Sequence, residues 1–125
     1  MSKTTINEIE VNGVKYVPKG AAPETAELDP TGYCIVRTNS AGVFAGWMAK
    51  GYDGGKIGDV EGARRLWYWK GAASLSQLAA EGVKNPSECK FALPVSSVHL
   101  TEIIEIIPCT ATAFANIRAV PQWKM

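Results

Sequence analysis

A chain of 125 residues, 46% hydrophobic and 20% charged, suits one soluble domain large enough to bury a core without disulfide or metal staples. Its 13 basic and 12 acidic residues leave a net charge of +1. That argues against duplex DNA as a partner, because duplex binders carry a marked basic excess. No apolar run approaches the roughly 18 residues of a membrane span, and "MSKTTINEIEV" has no apolar stretch of the secretory kind, so no membrane partner is expected.

Residues 1–18 read as an N-terminal β-hairpin. Ile9 and Val11 alternate on one side of Asn12-Gly13, Val14 and Tyr16 follow on the other, and Asn-Gly suits a two-residue turn with positive φ. Pro18 denies a ladder donor and ends the second strand. Residues 19–32, rich in Ala, Pro, Gly and charge, read as a linker or surface loop. An isolated hairpin is marginal in water. It therefore packs back on the body or pairs with another chain, and a homo-oligomer is expected.

The body spans 33–125 and reads as α+β. "YCIVRT" (33–38), "VFAGWMA" (43–49) and "ARRLWYW" (63–69) are expected as three strands of an antiparallel meander, with a turn at 39–42 and a glycine-rich loop at 50–59. "SLSQLAAEG" (74–82) then changes period. Ser74 and Gln77 form a capping box, Leu75, Leu78 and Ala79 share a face, and Gly82 suits the left-handed exit, so a short core-docked helix is expected. Residues 84–97 look irregular. "VHLTEIIEII" (98–107) reads as one strand, "TATAFANI" (110–117) as a second short helix capped by Thr110, and "RAVPQW" (118–123) as a final edge strand. The sum is a sheet of about five antiparallel strands with two helices on one side.

On a strand, Arg65, Trp67 and Trp69 point one way, and Arg64, Leu66 and Tyr68 the other. Leu66 and Tyr68 make an ordinary core face. The tryptophans of the opposite face have three uses open to them. They pack under the hairpin or a helix, they anchor a subunit interface, or they stack on a planar ligand while an arginine pairs its anion. A second candidate is "RTNSAGVFAG" (37–46), where Ser40 and Gly42 could offer a backbone nest for an anion beside Arg37; the plainer reading is a tight hairpin turn. It is neither a P-loop nor a dinucleotide fingerprint, because no Gly-Lys-Ser/Thr follows and no helix opens there.

No metal site and no cofactor are expected. His99 is the sole histidine, and Cys34, Cys89 and Cys109 are dispersed with no C-x-x-C. Their apolar settings suit three reduced, mostly buried thiols in a cytoplasmic protein rather than nucleophiles. Glu102 and Glu105, three apart on a strand, face opposite ways and form no acid–base pair. With no catalytic residues to name, a non-enzyme is expected. Single-stranded nucleic acid could use Trp67, Trp69, Arg64, Arg65 and Lys70 as a platform, but the near-neutral charge and the acidic stretch at 24–29 count against it.

"RTNSAGVFAG", "ARRLWYWKGAASLSQLAAEG", "CKF" and "IIEIIPCTATAFANIRAVPQW" together resemble a family of small uncharacterised proteins encoded by tailed bacteriophages. The resemblance covers 33–124 and carries no catalytic assignment. It implies an accessory phage protein made in the host bacterial cytoplasm. Two partners then come into view: a nucleotide-like small molecule such as a host defence signal, held by Arg37, Ser40, Gly42, Arg64, Arg65, Trp67 and Trp69, or a host protein bound by the hairpin and the aromatic face.

Overall fold

The computed structural model of the protein describes residues 27–123. The expected hairpin at 1–18 and most of the 19–32 linker lie outside those residues. The fold is α+β, with six strands in antiparallel ladders and two helices among the described residues. Strands β1 (Cys34–Thr38), β2 (Val43–Met48) and β3 (Gly58–Tyr68) form the meander read from the sequence. Helix α1 (Leu75–Glu81) follows, then a 3-10 turn at Pro86–Glu88 and the two-residue strand β4 (Lys90–Phe91). Strands β5 (Val95–Leu100) and β6 (Ile103–Pro108) and helix α2 (Ala111–Ala119) complete the order. Among the described residues no helix is long and apolar enough to cross a membrane.

The sheet is rolled, and its connections show why. With 11 residues, β3 carries two partners along its outer edge: β5 pairs along 58–63 and β4 at 66–68. β6 lies on the opposite edge, against β1. Yet β5 and β6 are joined only by Thr101 and Glu102. Three Cα steps reach no more than about 11 Å. A flat sheet would hold the two strands four spacings, about 19 Å, apart. The sheet therefore curls towards a barrel, with β5 and β6 brought near each other at its seam.

Curling makes two apolar clusters, one on each face. Cys34, Val36, Phe44, Val60, Ala63, Leu100 and Ile103 fill the inside of the roll. On the outside, Ile35, Ala45, Leu66 and Phe91 meet Leu78 and Ala79 of α1 and Ala113 and Ile117 of α2. This explains why Cys34, Ile35 and Val36 are consecutive and all buried: β1 is covered on both faces. Both helices open on the caps that the sequence suggests. Ser74 accepts from the Gln77 N–H and Thr110 from the Ala113 N–H, while Gly82 ends α1 at φ +80°.

Three elements differ from the sequence expectation. β3 starts at Gly58, not Ala63, because a bulge hides its first half: Gly62 and Ala63 together face Gly46 between the Ala45↔Arg64 and Trp47↔Glu61 pairs. Gly62 sits at φ +58°, and a Cβ there would come within 2.7 Å of the Trp47 ring. The run 98–107 is two strands, and its neighbour 84–97 holds β4 and the start of β5. Long-range hydrogen bonds fix the break: Asn39 N–H donates to the Glu102 carbonyl at 3.0 Å, and Ile103 N–H to the Lys56 carbonyl at 2.9 Å. Finally, 118–123 forms no strand. Arg118 and Ala119 extend α2, and Gln122 makes an isolated parallel bridge to Phe91.

Candidate functional site

The alternation of β3 separates the two adjacent arginines. Arg64 turns to the helix side and is 3% exposed. Its Nε donates to the Ala92 carbonyl at 2.8 Å, Nη1 to Ile117 at 2.8 Å and Nη2 to Val120 at 2.6 Å. Burial lowers its pKa from the usual arginine value; nearby Tyr33 opposes that fall and Arg118 adds to it. Arg64 thus ties β3 to the 92 loop and to the end of α2.

Arg65 turns to the inner face. Its guanidinium lies over Phe44, 4.7 Å from the ring centroid, and over Trp67 at 5.3 Å. Its Nε is buried with no hydrogen-bond partner, and none of the ion pairs among the described residues involves it. Beside it is a hollow of about 180 Å³, walled by Phe44, Ala63, Val98 and Val95 and rimmed by Trp67 and Leu93. Trp67 is 58% exposed. The inner face thus places a cation with no ion-pair partner among the described residues, an exposed indole and an apolar floor together at one end of the roll.

The other singled-out residues fall elsewhere. Trp69 lies beyond the end of β3 and packs, half-buried, against the helix-side cluster, so the two tryptophans share no face. Tyr68, expected in the core, is exposed. Both changes follow the irregularity between Leu66 and Tyr68, where β3 meets β4. Arg37 reaches Glu105 on β6 at 2.8 Å, and the Ser40 hydroxyl donates to Glu102 at 2.8 Å; both contacts are exposed. In the β1–β2 turn, Thr38 Oγ1 donates to the Gly42 carbonyl at 2.8 Å and accepts from the Ala41 N–H at 2.9 Å. Gly42 takes φ +100°. The turn so closes on itself, and Ala41 N–H, one of the donors a nest would use, is engaged.

Sequence reasoning passed over a second constellation. Tyr33, Trp47 and Phe114 cluster with centroids 4.7–5.9 Å apart, Trp47 edge to face with each of the others and Tyr33 tilted against Phe114. The Arg118 guanidinium lies over Trp47 at 5.4 Å and over Phe114 at 5.6 Å. No local signal marks this group, since its members come from the entry to β1, from β2 and from α2. A broader hollow of about 350 Å³ lies between the 52–56 loop and β6; its lining includes Glu105 but none of the residues read as ligand-binding. His99 Nδ1 lies 2.5 Å from Asp59 Oδ1 on the exposed face of the β3–β5 pair. All three cysteines are buried free thiols. Burial pushes Cys34 up to about 11 and Cys109 up to about 12, so neither is a thiolate nucleophile near neutrality.

Neither a curated protein nor a solved structure matches the chain. A family model does, over residues 31–117, which takes in β1 to β6, α1 and most of α2. The chain belongs to the family described as a domain of unknown function, DUF6948.

Proposed function

We propose that the protein is a non-enzymatic binder of a small anionic, planar molecule of nucleotide type, acting as an accessory phage protein that sequesters a host signal. The observation that supports this reading is the Arg65–Trp67 pair. A guanidinium without a carboxylate partner among the described residues sits between Phe44 and an indole that is 58% exposed, at the rim of an apolar hollow. An aromatic ring stacked on Trp67 would cover the indole, and its anionic group would meet Arg65. The hollow, at about 180 Å³, is smaller than the roughly 300 Å³ at which whole-ligand pockets begin. One chain would then hold the ring system, and a second copy would close over the remainder, in keeping with the homo-oligomer expected from the hairpin. Arg64 drops out of this binding set, because it turns to the helix side of β3 and does not line the hollow.

Native mass spectrometry of the purified full chain, with denaturing release of any retained mass, tests the reading together with fluorescence titration by AMP and ADP. A retained or titrating nucleotide is expected, with Trp67→Ala and Arg65→Gln each weakening it by about tenfold or more. Unchanged affinity in both variants would sink the proposal. A second reading has its own support: Trp67, Leu93 and Val95 are 58%, 57% and 46% exposed around the same hollow, as at a protein contact. In that case the same variants would abolish capture of a host protein and leave nucleotide titrations flat.

A further inference from the structure

On the helix side of the sheet, away from Trp67, lies a small, partly open hollow of about 90 Å³. Its walls are Tyr33, Trp47, Gly62, Arg64, Pro94 and Arg118. It has half the volume of the Arg65–Trp67 hollow, with room for a few waters or a small oxyanion. The polar chemistry of the wall is one-sided. Tyr33 is 1% exposed, and its hydroxyl is buried with no hydrogen-bond partner among the described residues. Arg64 has five N–H donors, of which three bonds to carbonyls use three. Arg118 holds its guanidinium over Trp47 and Phe114, and none of the ion pairs among the described residues involves it. No side chain of the wall is acidic.

A buried hydroxyl without a protein partner and the buried Arg64 guanidinium face the same hollow, and the exposed Arg118 guanidinium adds a second positive charge at its rim. An anion resolves both at once: it accepts from the hydroxyl and supplies the charge that the arginines lack. We infer that this hollow is a binding site for a small oxyanion, a free phosphate or a phosphate- or carboxylate-bearing group, held by the Tyr33 hydroxyl, Arg64 and Arg118. The hydroxyl is suited to donate. Burial pushes the Tyr33 pKa up to about 12, so the phenol keeps its proton throughout the neutral range. The Gly62 bulge belongs to the same site, because a Cβ there would push Trp47 out of the wall. The site is separate from the Arg65–Trp67 hollow and stands or falls without it.

The test uses the full chain in chloride at constant ionic strength, with inorganic phosphate or acetate added at millimolar concentration while Tm is followed. Either anion is expected to raise Tm through binding to the folded state. A rise with phosphate alone assigns a tetrahedral anion; a rise with acetate as well assigns a carboxylate-tolerant site. Tyr33→Phe is expected to abolish the rise while leaving Tm in chloride unchanged or higher, because it deletes only an unpartnered hydroxyl. Arg118→Gln, at an exposed position, is expected to raise the half-effective anion concentration by about tenfold. No rise with either anion, or an equal rise in Tyr33→Phe and Arg118→Gln, would overturn the inference.

Discussion

Arg64 takes its role from residues far along the chain. Its three carbonyl acceptors lie 28, 53 and 56 positions away, whereas the next residue, Arg65, meets Phe44 and Trp67 instead. Alternation along β3 was legible in the sequence and correctly put the two arginines on opposite faces. What waits on each face was not, because the acceptors come from the 92 loop and from α2. The same limit separates Trp67 from Trp69: a two-residue period says nothing of the irregularity at 66–68. Arg64→Met should strand three buried carbonyls and cost about 3–5 kcal/mol. Arg64→Lys should recover only part of that, since one ammonium cannot reach three acceptors spread around a planar fork. Urea unfolding reads the cost as a lower midpoint at constant slope. A loss under about 1 kcal/mol for Arg64→Met would mean that the fork does not tie β3 to α2.

Elements with their own punctuation were the readable ones. α1 and α2 carry their caps in sequence, and β1 and β2 flank an obvious turn. The run 98–107 carries none. Every apolar residue in it favours a strand, so propensity ran straight through Thr101 and Glu102, where contacts from Asn39 and Lys56 impose the corner. The caps themselves are not equal. Ser74 Oγ accepts only from the Gln77 N–H, at 3.1 Å, in an exposed setting. Thr110 Oγ1 accepts from the Ala113 N–H at 3.0 Å and also donates to the Ala80 carbonyl at 2.7 Å, which binds the start of α2 to α1. Ser74→Ala should therefore cost about 1 kcal/mol and Thr110→Ala about 2 kcal/mol. Equal losses in chemical denaturation would show that the bond between the helices adds nothing.

At the scale of the whole molecule, one rolled sheet serves two cores. Composition announced a core-bearing domain, but the run at 34–36 was read only as one strand of a meander with helices on one side, and closure through the β5–β6 corner rests on contacts that no local pattern records. Among the ionisable groups caught inside are Cys34 in the inner cluster, and Cys109 and Tyr33 in the outer one. Burial raises all three, Cys34 to about 11 and both Cys109 and Tyr33 to about 12, against ordinary values of 9.0 for the thiols and 10.0 for the phenol. The folded protein thus holds these protons more tightly than the unfolded chain does. Their contribution is complete below the unfolded thiol value near pH 9. It is lost as pH rises towards the folded values, because the unfolded state gains stability by ionising first. Urea midpoints should accordingly stay level from neutrality to about pH 9 and fall beyond it. Cys109→Ala should flatten the fall, at the expense of a small cavity beside Ala113. A midpoint that does not move between pH 9 and 10.5 would mean that the unfolded chain holds these protons as firmly as the two cores do.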